Sequence, residues 1–275
     1  MPEGDTIFRA ARTLHRALRG ERLTRFESVL PKLNRIDEDA PLAGRTVEEV
    51  SALGKHLLMR FSGELTLRTH MRMSGSWHIY RHGEAWHRAR SHMRILLETA
   101  AWVVVGFDVP IADFFSAEAL VREDSLRLLG PDTLSPNFDL VEAQKRLRAR
   151  GNLPVGEALL KQRVVAGIGN VFKSEILFLG KVAPTVPVSA LPDAKLKELL
   201  STAERLLKSN VKDGKGDGIV TFTGMRRTTG RSDPSERLWV YGRSNEPCRI
   251  CGTRIAFDKL GLEARVTYWC PQCQV

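Results

Sequence analysis

The four cysteines of this 275-residue chain all lie near its carboxyl end, as Cys248-Arg249-Ile250-Cys251 and, 18 residues later, Cys270-Pro271-Gln272-Cys273. Two Cys-x-x-Cys knuckles at this separation bring four thiolates into a tetrahedron, an arrangement that suits one zinc ion. Between them, Arg254 to Phe257, Gly261 and Ala264 to Trp269 read as two strands and a turn. The end of the chain is therefore expected to be a zinc-bound β-hairpin too small to fold without its metal. Four protein ligands leave no open coordination position, so the zinc is expected to be structural. Free or disulfide-bonded cysteines are the competing reading, disfavoured in a reducing compartment.

Such a compartment is what the rest of the chain suggests. Glu3, Asp5, Arg9 and Arg12 interrupt any apolar leader at the amino terminus. No run approaches the roughly 18 apolar residues of a membrane span. A cytoplasmic protein with no membrane partner is expected. Lys and Arg outnumber Asp and Glu by 42 to 32, a net charge of +10. That excess favours a polyanionic partner, nucleic acid first, against the plainer reading of charge kept for solubility.

The length predicts about two domains. Asp5 is a candidate N-cap for a helix with Ile7, Ala10, Ala11, Leu14 and Leu18 on one stripe, ended by Gly20. From Arg45 to Phe107 the texture is β-like: Leu57 to Phe61, Leu65 to Thr69, Met93 to Glu98 and Trp102 to Phe107. Turns are expected at Ser62-Gly63 and Thr99-Ala100-Ala101. With no helix-length segment between these runs, antiparallel pairing into a sandwich or barrel is favoured over βαβ units. Gly130-Pro131-Asp132 and Ser135-Pro136 suggest a linker. The boundaries expected are a β domain over 1–118, a linker over 119–136, a helical domain over 137–236 and the zinc hairpin over 237–275. Helices are predicted from Asn137 or Asp139 to Arg148, from Glu157 to Val165, from Val171 to Leu179 and from Asp193 to Asn210. Val211 to Glu236, rich in Gly and Thr and carrying Arg226, Arg227 and Arg231, reads as a mobile basic loop.

Two stretches carry candidate chemistry. Met1-Pro2-Glu3-Gly4 would expose a secondary amine at Pro2 once Met1 is removed, with a pKa near ~8 and hence a usable neutral fraction. Glu3 is a neighbouring proton donor or acceptor. Ala166-Gly167-Ile168-Gly169-Asn170 joins two predicted helices, and amides at the start of the second could receive a phosphate, with Asn170 adding a donor. Between Gln144 and Lys173 stand seven basic residues, Lys145, Arg146, Arg148, Arg150, Lys161, Arg163 and Lys173, against Glu157 alone. That bias reads as a phosphate-binding face.

Met-Pro-Glu-Gly, Gly54-Lys55-His56-Leu57-Leu58, His70-Met71-Arg72-Met73-Ser74-Gly75, Gly167-Ile168-Gly169-Asn170 and the four-cysteine hairpin occur in the order seen in the formamidopyrimidine-DNA glycosylase and endonuclease VIII family. The resemblance spans nearly the whole chain. It implies an α+β protein: an N-terminal antiparallel β-sandwich with a leading helix, then a C-terminal helical domain with a helix, two turns, helix element and a zinc-bound β-hairpin. It also implies a bifunctional glycosylase and AP lyase of base excision repair, acting on damaged double-stranded DNA as a monomer. Pro2 would form a Schiff base with the sugar and Glu3 would move protons. Lys55 would contact phosphate from a strand and assist elimination. Asn170 and Arg265 would grip the flanking phosphates, with Arg265 assisting the second elimination. His70, Arg72 and Met73 would meet DNA, Met73 filling the space left by the extruded nucleotide; a core methionine is its plainer reading.

The chain departs from the family in three places. Asp108-Val109-Pro110-Ile111-Ala112-Asp113-Phe114 lacks the arginine of the formamidopyrimidine branch, as does the endonuclease VIII branch, so oxidised pyrimidines are favoured over 8-oxoguanine. Thr6 stands where a glutamate is common, leaving Asp5 as a substitute. The 211–236 loop matches neither branch. An 8-oxoguanine-type glycosylase and a catalytically silent zinc-finger DNA-binding protein are the alternatives.

Overall fold

A computed structural model describes residues 2–212, 226–231, 233–261 and 263–275. The described residues up to Arg127 form one compact unit, and those from Leu128 onward a second.

The first unit opens with α1 (Gly4–Leu18), whose Ile7, Ala11, Leu14 and Leu18 are buried. Its cap is not Asp5, as the sequence suggested, but Glu3: the Glu3 carbonyl accepts from the amides of Thr6 at 3.0 Å and Ile7 at 3.1 Å. Asp5 instead sits in the first turn, paired with Arg9 at 3.3 Å. A carboxylate there still complements the positive end of the helix, which is why the position tolerates an acid without needing it as a cap.

Then follow β1 (Leu23–Ser28), α2 (Pro31–Asp39), β2 (Val47–Leu53), β3 (His56–Phe61), β4 (Leu65–His70), β5 (Ser76–Tyr80), β6 (Met93–Thr99), β7 (Val103–Phe107) and β8 (Ile111–Ser116), with short helices α3 (Ala117–Arg122) and α4 (Asp124–Arg127). Two four-stranded sheets result, ordered β1-β6-β7-β5 and β2-β3-β4-β8, with every neighbour antiparallel. Leu57, Met59, Phe61 and Leu67 of one sheet share a core with Leu23, Ile95, Leu97 and Val104 of the other and with the apolar stripe of α1. This is the expected sandwich. The Ser62-Gly63 turn closes β3 onto β4, with Gly63 at φ 77°, and the Thr99 hydroxyl accepts from Ala101 and Trp102 to turn β6 into β7. Tyr80, Met93, Leu96, Val105 and Phe107 make a second apolar layer on the first sheet's other face, which gives β5 its wholly buried, non-alternating pattern.

The second unit contains α5 (Leu140–Arg148), capped by the Asp139 carboxylate accepting from Glu142 N at 2.9 Å, then α6 (Val155–Ala158), α7 (Asn170–Leu179) and α8 (Asp193–Lys212). The helix expected over Glu157 to Val165 is only the single turn of α6. The chain then doubles back through hydrogen-bonded turns to Gly167, whose φ of 98° and closeness to the Thr133 hydroxyl, 2.8 Å from where a Cβ would lie, admit glycine alone without strain. The apolar stripe of α8, Leu196, Leu199, Leu200, Ala203, Leu206 and Leu207, is buried as expected. The carboxyl end is the antiparallel hairpin β9 (Ala256–Leu260) and β10 (Arg265–Trp269). Phe178 of α7 packs with Val240, Cys248, Ile255 and Cys270, so the hairpin's base is seated on the helix.

Candidate active site and nucleic-acid interface

In the first unit, Pro2 is buried and Glu3 is fully buried at the head of α1, where the helix amides concentrate positive potential. An acid held at the head of a helix can carry a proton to or from a group placed beside it. Thr6 is buried too, its hydroxyl donating to Asp5 at 3.3 Å, so Thr6 and Asp5 form a local pair rather than a free acid at position 6.

Lys55 lies in the two-residue Gly54-Lys55 turn between β2 and β3, not on a strand as expected. Gly54 takes φ 57°, and Leu53 pairs directly with His56 across the turn. The residues alternate toward a strand pattern only from His56 on, so the tight turn was masked by its apolar successors. His56 and His70 face each other across β3 and β4, rings edge to face at 4.9 Å. Burial pushes both imidazoles down, His56 to about 3 with His70 and Arg68 adding to it, and His70 to about 4 with Arg72 and Lys55 adding. Both rings are neutral at physiological pH. The His70 Nδ1 accepts from Arg72 N at 3.1 Å and so supports the turn that follows.

Arg72 and Met73 occupy that turn, both exposed, Met73 by 60% and Arg72 in a left-handed conformation at φ 48°. Met73 is therefore no core methionine. Gly75 closes the turn: a Cβ there would lie 2.7 Å from the Met71 carbonyl oxygen. The neighbouring Asp108 collects Arg88, His92 (3.0 Å) and Arg94 (3.9 Å), a cluster not singled out from sequence because its members are spread over 20 residues. Asp113 is structural, bonded to Arg68 and Lys32.

In the second unit, Asn170 begins α7. Its amide donates to the Val266 carbonyl of β10, and its Oδ1 accepts from Lys173 Nζ at 2.6 Å. Arg265 begins β10, its guanidinium 3.1 Å from Glu263, while Lys161 stands 3.6 Å from the same carboxylate. The basic run around these residues is not one phosphate-binding face. Arg146 donates to the carbonyls of Leu129 and Arg163, and Arg148 to those of Val188 and Leu191 and to Asp193. These guanidiniums stitch loops together because their forked donors satisfy several carbonyls at once. The described part of the 211–236 stretch is likewise anchored: Arg226 lies over the Phe172 ring at 5.4 Å, and Arg227 N donates to Asn210 at 2.8 Å. Residues 213–225 of that loop lie outside the described residues.

Glu175 is the functional-looking residue that sequence reasoning passed over. It is fully buried, accepting from the Thr228 hydroxyl and from the amides of Trp239 (2.8 Å), Val240 (2.9 Å) and Tyr241 (2.9 Å). Burial pushes its carboxyl up and these donors push back. One carboxylate on α7 thus fixes the approach to the cysteine hairpin.

The four cysteines come together with their sulfurs within 4.8 Å of one another. A tetrahedron with metal–sulfur bonds of about 2.3 Å has edges of about 3.8 Å, so the cluster fits a metal ion with little adjustment. Burial and the neighbouring sulfurs push the Cys270 and Cys273 thiols up, and a cation at the centre is what would let four thiolates coexist.

Fold and site together define a DNA-glycosylase architecture: residues 1–108 match the formamidopyrimidine-DNA glycosylase N-terminal domain and residues 129–222 its H2TH domain. The chain belongs to the formamidopyrimidine-DNA glycosylase family, and its relatives carry endonuclease 8 names. A probable endonuclease 8 2 of Streptomyces coelicolor is 43% identical, covering 100% of this chain and 94% of the relative. The DNA-(apurinic or apyrimidinic site) lyase Nei2 of Mycolicibacterium smegmatis is 39% identical, covering 100% and 99%, and the Escherichia coli endonuclease 8 is 32% identical over the full length of both. The fold is that of the Lactococcus lactis formamidopyrimidine-DNA glycosylase bound to AP-site DNA, with a TM-score of 0.81 at 23% identity over 99% of each chain.

Proposed function

We propose that this chain is a bifunctional DNA glycosylase and AP lyase of base excision repair, acting on oxidised pyrimidines in duplex DNA. The observation that carries the proposal is full-length identity of 39% to a chain named as an AP lyase, in a family whose N-terminal domain matches residues 1–108, the stretch that holds Pro2 and Glu3. The Pro2 nitrogen, freed by removal of Met1, attacks C1′ of the damaged nucleotide, the base departs with its bonding pair, and the N–H proton released from Pro2 goes to the departing base. Glu3 supplies a proton to the sugar ring oxygen, and ring opening leaves an iminium between Pro2 and C1′. That cation withdraws electrons from C2′, whose proton is lost as the C3′–O3′ bond breaks; a second elimination breaks C5′–O5′. Lys55, on its tight turn, is assigned to phosphate contact and elimination. Arg265 and Asn170 are assigned to the phosphates flanking the lesion, Arg265 also to the second elimination. His70, Arg72 and Met73 are assigned to the DNA near the extruded nucleotide. The exposure of Met73 supports a wedge role, since an apolar side chain in water gains by entering a base stack.

The metal assigned to the four cysteines is one zinc ion, with a structural role in holding the hairpin that carries Arg265. A chromosomal substrate would place the enzyme in the cytoplasm; among the described residues no helix is long and apolar enough to cross a membrane. The test is incision of duplexes bearing thymine glycol, dihydrouracil, 5-hydroxyuracil, 8-oxoguanine, uracil or an abasic site. Cleavage of the oxidised pyrimidines and the abasic site is expected. Cleavage of 8-oxoguanine alone would move the chain to the other branch of substrates, and binding without cleavage of any duplex would leave a catalytically silent DNA-binding protein.

A further inference from the structure

We propose that Lys173 is a positioning residue, holding the Asn170 carboxamide in the one orientation that can donate to a DNA phosphate and linking it to the strand headed by Arg265. The inference rests on the reading of Asn170 and Arg265 as phosphate contacts. Lysine is rarely buried completely, because its ammonium loses its hydration. Here Lys173 is 1% exposed. Its Nζ donates to Asn170 Oδ1 and to the Thr267 hydroxyl, both at 2.6 Å, and that hydroxyl in turn donates to the Arg265 carbonyl at 3.1 Å. One cation therefore connects the side chain of Asn170, at the first residue of α7, to the backbone of Arg265, at the first residue of β10.

The consequence for Asn170 is directional. A carboxamide can present either its oxygen or its nitrogen to a given neighbour, and a nearby cation decides which. With Oδ1 turned to the Lys173 ammonium, the nitrogen faces β10, where one of its two hydrogens goes to the Val266 carbonyl. The other remains for a phosphate oxygen. Without the ammonium the flipped amide would place Oδ1 against the Val266 carbonyl or the incoming phosphate, two oxygens where a donor is required. The charge has a second effect. It lies in the first turn of a ten-residue helix, adding to the positive potential of that end, so an arriving phosphate relieves part of the strain of burying it.

A lysine serving only to fill space could be exchanged for methionine with little loss or even a gain in folding stability, because a buried charge is removed. A positioning lysine could not be exchanged without loss of DNA affinity. The experiment uses the full-length, metal-loaded protein and a duplex with a tetrahydrofuran abasic analogue, comparing wild type, Asn170→Ala, Lys173→Met and the double variant by equilibrium binding and thermal melting. Asn170→Ala is expected to weaken binding about tenfold to a hundredfold, and Lys173→Met by about tenfold with an equal or higher melting temperature. The double variant is expected to bind within about threefold of Asn170→Ala, because Lys173 acts through Asn170. Wild-type binding by Lys173→Met, or losses that multiply in the double variant, would overturn the inference while leaving Asn170 as a phosphate contact. Wild-type binding by Asn170→Ala would overturn the phosphate reading and this inference together. Should Lys173→Met fail to fold, Thr267→Val removes one acceptor and keeps the charge; its loss must also be absorbed by Asn170→Ala, and multiplication there overturns the inference equally.

Discussion

The His56 and His70 pair makes the first unit sensitive to acid in a calculable way. Both imidazoles have ordinary values of 6.5 and are held at about 3 and about 4 in the folded chain. Between those limits the unfolded chain binds more protons than the folded one, so stability is present above about pH 6.5 and is lost as the pH falls toward the folded values. At about pH 5 each ring lies roughly 1.5 units below its ordinary value, which at about 1.4 kcal/mol per unit costs about 2 kcal/mol per ring, or about 4 for the pair. Water reaching the two partly exposed rings reduces this. His56→Phe keeps a ring edge-on to His70 and removes one titrating group. We expect wild type and variant to differ by under about 1 kcal/mol at pH near 7.5, and the variant to be more stable by up to about 2 kcal/mol at pH near 5. Urea unfolding read by pulsed hydrogen exchange in peptides from β3 and β4 isolates this unit from the other. Parallel pH profiles for wild type and variant would refute the assignment of neutral, buried imidazoles.

Three further outcomes follow from the geometry. Cys270→Ser should release the bound metal, measured with a chromogenic chelator, and reduce DNA affinity with it; full retention of metal would show that the four sulfurs do not act together. Met73→Ala, at an exposed turn position, should leave the melting temperature within about 1 °C while weakening binding to abasic-analogue duplex severalfold, whereas a large drop in melting temperature would return Met73 to the core. Glu175→Gln turns an NH2 toward donors that now meet a carboxylate, and should destabilise the second unit by about 3 kcal/mol in thermal or urea unfolding; a change under about 1 kcal/mol would mean the four bonds to Glu175 are not formed together in solution.

The strands that were legible in the sequence are those whose β-branched and apolar runs end at a turn: β3, β4, β6 and β7 lie within a residue of where the pattern put them. β5 was not, because both of its faces are covered and Ser76-Trp77-His78-Ile79-Tyr80 shows no alternation. α2 is short and held by its Pro31 start rather than by a wide apolar stripe, only Leu33 being buried. The four-cysteine cluster was readable from spacing alone, since two knuckles in one hairpin meet whatever the rest of the chain does. The opposite holds for Glu175, whose partners lie 53 to 66 residues away and include three backbone amides that no side-chain pattern announces. Charge misled for a related reason. Arg146 and Arg148 look like phosphate ligands in a sequence, yet the carbonyls they bind come from loops that only the fold brings near.

The proposed chemistry occurs at the nitrogen of Pro2. Borohydride reduction during reaction with an abasic duplex, followed by proteolysis and mass spectrometry, reads the attachment point directly. A reduced sugar adduct is expected on Pro2 of the Met1-free chain and none on protein that retains Met1. An adduct on Lys55 or another lysine, or undiminished trapping by the Met1-retaining protein, would contradict it.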